Sequence, residues 1–371
     1  MPKVEMKRLG EYIREVDVRN TDFKVTRLVG LTIDKAFIPS VANVIGTDLS
    51  NYKVIKKEQF ACSLMQVSRD GKMPVAMFED DMPTIMSPAY PLFEVVDTTK
   101  LLPQYLMMWF SRKEFDREAC FYAVGGVRGS LTWEDFCDMT LPIPPIARQR
   151  EIVAEYAMLA NRIRLNNRLI STLESTAQAL YRKMFVDNID KDHLPDGWRI
   201  GTIGEVINCF DYKRRPLAGY DRADMAKKYP YYGAAALMDY VEDYMFDGTY
   251  ILMGEDGTVI NADNTPVIQY VTGKFWVNNH AHVLQGMNGF DENLLYLILK
   301  NTQINEYVTG GVQAKINQEN MMSIPVLIPT QKELEVITKN IQPIFQLFLT
   351  KHKENEKLTK LQSLLLAKMG Q

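Results

Sequence analysis

The sequence predicts an α+β protein: two mixed, mainly antiparallel β-rich domains in tandem repeat, separated by two long helices that pair as an antiparallel coiled coil. Three observations carry this. A step of 185 residues lays Gly125-Gly126-Val127 on Gly310-Gly311-Val312, Pro144 on Pro329 and Lys183-Met184 on Lys368-Met369. The same step pairs Leu131 with Ile316, Glu134 with Glu319 and Leu180 with Leu365 without a gap. Each copy of this block ends in a long heptad seam, and the stretch upstream of each alternates short apolar runs with turn signals.

The seams justify the helices. After Leu141-Pro142-Ile143-Pro144-Pro145 a proline-free stretch runs from Ala147 to Val186, so a helix should begin near Pro145. Its apolar positions step by four and three: Ile152, Tyr156, Leu159, Ile163, Asn166, Ile170, Leu173, Ala177, Leu180 and Met184. After Pro329 the seam returns as Ile337, Ile341, Ile344, Phe348, Lys351, Asn355, Leu358, Gln362, Leu365 and Met369. Both are polar in the middle, and polar seam residues set register at a cost in stability. Antiparallel packing would bring Asn166 near Lys351 and Asn355. Pro343 should kink the second helix or delay its start. Forty helical residues would span roughly 60 Å, the length of a spacer. The chain thus divides into a first β-rich domain (1–145), a central helix (146–187), a second β-rich domain (188–330) and a C-terminal helix (331–371).

Upstream of the repeated block the halves diverge. Leu9-Gly10-Glu11 is echoed by Ile203-Gly204-Glu205 at a step of 194, so the second half has lost nine residues before its double glycine. Strands are expected at Phe23–Val29, Tyr52–Ile55, Gln59–Val67, Pro74–Phe78 and Tyr90–Val96, with a turn at Arg69–Lys72 and a helix from Pro103 to Phe115. In the second half they are expected at Tyr250–Met253, Val267–Val271, Phe275–Val277 and His282–Leu284, with a helix at Glu292–Lys300.

At 371 residues, 46% of them hydrophobic and 24% charged, the chain is too long for one ordinary core and has the composition of a folded protein. The longest apolar candidate, Leu101–Phe110, is broken by Pro103 and Gln104, and Met1–Gly10 lacks the apolar region of a signal peptide. A cytoplasmic protein with no membrane partner is expected. Cys62, Cys120, Cys137 and Cys209 stand singly, which suggests buried thiols rather than disulfides or zinc. The net charge of −3 gives no global basic signature, so any affinity for DNA must reside in local patches.

No catalytic motif is present. GxGxxG after a strand, GxxxxGK[ST], GxSxG and HExxH are all missing. Gly254-Glu255-Asp256-Gly257 reads as a turn. His280 and His282 would share one face of a strand, but no third ligand lies near them in sequence, and a polar strand face is the better reading. No metal site is expected.

The chain resembles the specificity subunit of type I restriction-modification systems. The resemblance covers nearly the whole length. It rests on Gly126-Val127-Arg128-Gly129-Ser130-Leu131-Thr132-Trp133-Glu134-Asp135-Phe136, on Gln149-Arg150-Glu151-Ile152, and on Leu180-Tyr181-Arg182-Lys183-Met184-Phe185. The second half adds Tyr229-Pro230-Tyr231-Tyr232-Gly233-Ala234, Leu252-Met253-Gly254-Glu255-Asp256-Gly257 and Gly311-Val312-Gln313-Ala314-Lys315-Ile316-Asn317. The resemblance implies a non-catalytic subunit in which each β-rich domain is a target recognition domain that reads one half of a split, asymmetric site on double-stranded DNA. It implies docking of two methyltransferase (modification) subunits on the helices, joined by ATP-dependent restriction subunits. S-adenosylmethionine, ATP and Mg would bind to those partners and no cofactor to this chain.

Arginine suits guanine, asparagine and glutamine suit adenine, and lysine and arginine hold phosphates. The DNA-binding candidates are therefore Gln66, Arg69, Lys72 and Arg128 in the first domain and Lys213, Arg214, Arg215, Gln313 and Lys315 in the second. The other reading is an interaction scaffold, with two binding domains on a coiled-coil rod and no role for DNA. Arg128→Ala should weaken recognition of one half-site and Gln313→Ala the other. Methylation of targets altered in each half separates the two, and an effect of both changes on the same half would refute the assignment.

Overall fold

The computed structural model describes residues 5–40, 46–124, 129–187, 189–190, 192–311 and 313–370. The chain folds as two compact units, Met1–Leu165 with Glu354–Gln371, and Asn166–Lys353. The helices are therefore not separate bodies, because the boundary falls inside each of them.

The first unit contains β1 (Met6–Arg8), β2 (Ile13–Val16), β3 (Val29–Leu31), β4 (Phe37–Pro39), β5 (Lys53–Ile55), β6 (Phe60–Cys62), α1 (Val67–Asp70), β7 (Val75–Met77), β8 (Thr84–Met86) and β9 (Leu92–Val95). There follow α2 (Pro103–Phe110), α3 (Lys113–Tyr122), α4 (Trp133–Asp138), β10 (Thr140–Pro142) and the first half of α5 (Ile146–Phe185). Its main sheet has the antiparallel order β2-β9-β6-β7. Pro103 opens α2, where a missing N–H costs nothing. Phe93 lies at the centre of the core, stacked on Phe60 at 5.0 Å and meeting Phe136 at 5.5 Å and Phe110 at 6.1 Å.

The second unit adds β11 (Arg199–Thr202), β12 (Ile207–Cys209), α6 (Gly219–Ala223), β13 (Tyr229–Tyr232), β14 (Leu237–Val241), β15 (Phe246–Gly254), β16 (Ile268–Val277) and β17 (Ala281–Gly286). It closes with α7 (Glu292–Lys300), α8 (Gln318–Met322), β18 (Pro325–Ile328) and α9 (Gln331–Lys368), whose last turns belong to the first unit. Its sheet runs β12-β17-β15-β16-β13-β14, with only the β13–β16 pair parallel.

The strand ladders extend the duplication through the divergent halves. Phe60 faces Phe93 as Ile251 faces Leu284, and Glu15 faces Phe93 as Cys209 faces Leu284. Leu131 donates its N–H to Leu64 O at 2.8 Å, as Ile316 does to Glu255 O at 2.8 Å. The step is thus 194 at β2, 191 at β6 and β9, and 185 at Leu131. Three of the nine residues are lost between β2 and β6, and six between β9 and Leu131, where the first unit builds α3.

The seam residues are the sheltered stripe of each helix. Ile152, Leu159, Ile163, Asn166, Leu173 and Leu180 on α5, and Ile337, Ile344, Phe348, Lys351, Asn355, Leu358 and Leu365 on α9, are all buried or half-buried. In the first unit Ile152 shares a core with Leu365 and Met369, and Arg162 pairs with Glu354 at 2.5 Å. In the second, Ala177 and Phe185 share a core with Ile337, Ile341 and Phe345. The helices therefore run antiparallel within each unit. Pro343 does not end α9, which starts at Gln331. It sits on the exposed face, where water can satisfy the carbonyl it frees.

Several elements differ from expectation. Arg69–Lys72 is no simple turn: Val67–Asp70 is helical and Gly71 closes it at φ +68°. Phe23–Val29 joins the sheet system only at its end, through the Leu28–Ile85 bridge and Val29 of β3. Val267–Val271 and Phe275–Val277 form one strand, because Gly273 stays in register with Gly248. β13 was hidden by Pro230, which reads as a strand breaker, yet it pairs with Tyr240. Among the described residues no helix is long and apolar enough to cross a membrane.

Phe93→Ala should cost the first unit about 3–5 kcal/mol. A denaturant titration should show that unit's transition moving to lower concentration while the second unit's transition stays in place.

Candidate nucleic-acid interface

Three segments remote in sequence converge in the second unit. The turn after β12 carries Asp211, Lys213, Arg214 and Arg215; the end of β15 carries Glu255 and Asp256; the third segment is 313–316. His282 on β17 is fully buried among them. Its Nδ1 lies 2.6 Å from Asp211 Oδ2 and its Nε2 2.9 Å from Ile316 O. Val283 N–H donates to Asp211 Oδ1 at 2.9 Å. Arg214 donates to Glu255 Oε2 at 2.5 Å and to Ala281 O at 2.8 Å, and stands 3.3 Å from Asp211 Oδ2. Lys315 Nζ lies 3.5 Å from Glu255 Oε1. Gly257 N–H donates to Ala314 O at 2.9 Å, which ties the second segment to the third. Gly254 is required by close approach, because a Cβ there would stand 2.7 Å from Thr258 O.

Burial pushes the Asp211 carboxyl up, but the hydrogen bond and charge of His282, with Val283 N–H and Arg214, outweigh it and leave it below the usual carboxylate range. Burial pushes the Cys209 thiol up to about 12. Cys209, Asp211 and His282 lie close enough to face one metal ion. Both His282 nitrogens and both Asp211 oxygens already have partners, however, and Cys209 stays a thiol. The cluster is a satisfied polar network that holds loops.

Exposed side chains around it include Lys213, Arg215, Gln313, Lys315 and Tyr212, with His280, which pairs with Asp256. Lys213 Nζ lies over the rings of Phe210 at 5.0 Å and Tyr212 at 5.7 Å. Arg215 O accepts from Trp276 Nε1 at 2.6 Å, which fixes its backbone and leaves its head in solvent. Arg214 differs from its neighbours: with its side chain 14% exposed it is turned inward and occupied by carboxylates and carbonyls.

In the first unit Gln66, Arg69 and Lys72 lie on and around α1. Gln66 Oε1 accepts from Arg69 Nη2 at 2.6 Å, and Arg69 also reaches Asp70 at 3.1 Å. Lys72 pairs with Asp34 at 2.9 Å. These pairs are exposed and weak, so a phosphate could displace them. Arg128 falls outside the described residues. Its neighbour Gly129 packs directly on Ser68, leaving no room for a Cβ.

Residues 195–360 match the family described as type I restriction modification DNA specificity domain. Over 127 residues the chain is 35% identical to a putative type I restriction enzyme specificity subunit of Haemophilus influenzae, an alignment that spans 34% of this chain and 32% of that protein. Across 96% of the chain and 89% of the relative it is 20% identical to the putative MjaX specificity subunit of Methanocaldococcus jannaschii. The chain is therefore similar to type I restriction-enzyme specificity subunits. The crystal structure of an S subunit from M. genitalium has the same fold, with a TM-score of 0.56 at 15% identity, covering 100% of this chain and 97% of that one.

The network around His282 ties the three segments together and so positions the exposed loop residues. Sequence reasoning missed Asp211, Glu255 and His282 as partners because 71 residues separate Asp211 from His282. The one available signal was the pair of polar residues flanking Gly254 and Ala281, each at a strand end.

The depressed Asp211 value makes its contribution to stability whole above pH 3.8 and lost as the pH falls below that, through the folded value. His282→Ala would leave buried carboxylates under-compensated and should cost the second unit about 3–5 kcal/mol at neutral pH. Urea unfolding checks this, and an unchanged midpoint would show that the network carries no such load.

Proposed function

We propose that this chain is the DNA-reading subunit of a type I restriction-modification complex. Each unit reads one half of a split, asymmetric target, and the paired helices set the spacing between the halves and seat two methyltransferase subunits. The observation that carries the reading is the difference between the copies. Sheet order and helix seam repeat, while the residues displayed around the turns at 66 and 257 do not: Gln66, Arg69 and Lys72 in one, Lys213, Arg215, Gln313 and Lys315 in the other. Two readers of one design with different contact sets suit two different half-sites.

Support for docking comes from the helices. Met158, Leu361 and Leu364 are exposed and line a groove with Leu159 and Leu365 in the first unit, an apolar surface on the segment that the repeat preserves. Methylation, ATP-driven steps and their cofactors, S-adenosylmethionine, ATP and Mg, fall to the methyltransferase and restriction subunits. The chain itself catalyses nothing, and the complex works in the cytoplasm. Arg214 is withdrawn from the set of DNA contacts, since its guanidinium already serves Glu255 and Asp211.

If the five outward cations Arg69, Lys72, Lys213, Arg215 and Lys315 meet phosphates, affinity for duplex DNA should fall roughly 500-fold between about 50 and 200 mM salt, and Lys213→Ala should lower the slope by about one. Fluorescence anisotropy measures both. No binding to duplex DNA, or a salt-independent response, would favour a scaffold that gathers proteins instead.

A further inference from the structure

Gln66 has φ +62°, a conformation in which an L side chain crowds its own backbone and which glycine adopts freely. The repeat identifies the position. Leu131 bonds to Leu64 as Ile316 bonds to Glu255, so Gln66 matches Gly257, whose φ is +79°. The second copy has the residue that this turn favours, and the first holds a glutamine there against its preference. Strain of this kind persists where the surroundings over-determine it, and it clusters at ligand-contacting positions.

The second copy also has a carboxamide at this turn, supplied from another part of the chain. Gln313 is exposed, and its Nε2 lies 3.8 Å from the point a Cβ on Gly257 would occupy. Each unit thus presents one primary amide at the same left-handed turn, from within the turn in the first and from the crossing segment in the second. Among the described residues of the first unit, Arg69 donates to Gln66 Oε1 and orients the amide, whose nitrogen can still donate and whose oxygen has a second lone pair.

We propose that Gln66 and Gln313 are matched base-reading residues, each recognising an adenine in its half-site. A carboxamide accepts from adenine N6 while donating to N7, a pairing no other base edge in the major groove offers. The proposal rests on the DNA-reading function above. It adds that the two half-sites carry an adenine read at corresponding places.

The test is selection of a randomised duplex pool by the full chain, with sequencing of the bound fraction. Gln66→Gly keeps the left-handed turn, relieves its strain and removes the amide, so the melting temperature should not fall. Adenine preference at one position of one half should drop about tenfold, with the other half unaffected. Gln313→Ala should do the reverse. Gln66→Asn, which also tolerates φ above zero but shortens the amide by one methylene, gives a second folded variant with the same expected loss. An enriched motif that survives both Gln66 substitutions, or one in which Gln66 and Gln313 affect the same half, overturns the assignment alone. A wild-type chain that enriches no sequence sinks the DNA-reading function and this assignment with it.

Discussion

Both units depend on one contact, the burial of a stripe of α5 against a stripe of α9. The first unit's core takes Ile152 from one helix and Leu365 and Met369 from the other, and the second takes Ala177, Phe185, Ile337, Ile341 and Phe345. One core of each β-rich region is therefore completed by the long helices. Asn166, 3% exposed in the middle of α5, costs desolvation, and it makes any helical slippage more costly still, because a slip would strand it against an apolar partner.

On that shared frame the two copies pack differently. Where the second unit fills the space between sheet, α7 and α9 with Tyr270, Tyr296 and Phe345, ring centroids 5.6 to 5.9 Å apart, the first has Met77, Met107 and Ala160 at an open groove. Flexible thioethers accommodate such irregular space, whereas three interlocked rings fix it. The conserved ladder tolerates either because its hydrogen bonds belong to backbone.

The sequence made the helices legible because a heptad is local: every residue that declares the seam lies within a turn or two of the next. Glu292–Lys300 was readable for the same reason. The repeated sheet was not, since its evidence is the pairing of Phe60 with Phe93 and of Ile251 with Leu284 across more than thirty residues, between aromatic side chains in one copy and aliphatic ones in the other. The exposure of the candidate interface residues was half legible. Charge and amide chemistry pointed to Lys213, Arg215, Gln313 and Lys315, yet the same rule selected Arg214, whose direction depends on Glu255 and Asp211, acids that no local pattern links to it. Gln66 and Gly257 share nothing as letters, and only their backbone angles reveal the equivalence.

The composition of the units has a consequence for biosynthesis. The second unit is one continuous segment, 166–353, but the first needs residues 354–370 to finish its core. Chain emerges from a ribosome at roughly 5–20 residues per second, and each domain can fold only once its last contributing segment is out. The unit encoded second is therefore completed first. The unit encoded first must wait, with the sheltered face of α5 around Ile152 uncovered, until the final turns of α9 arrive to close it.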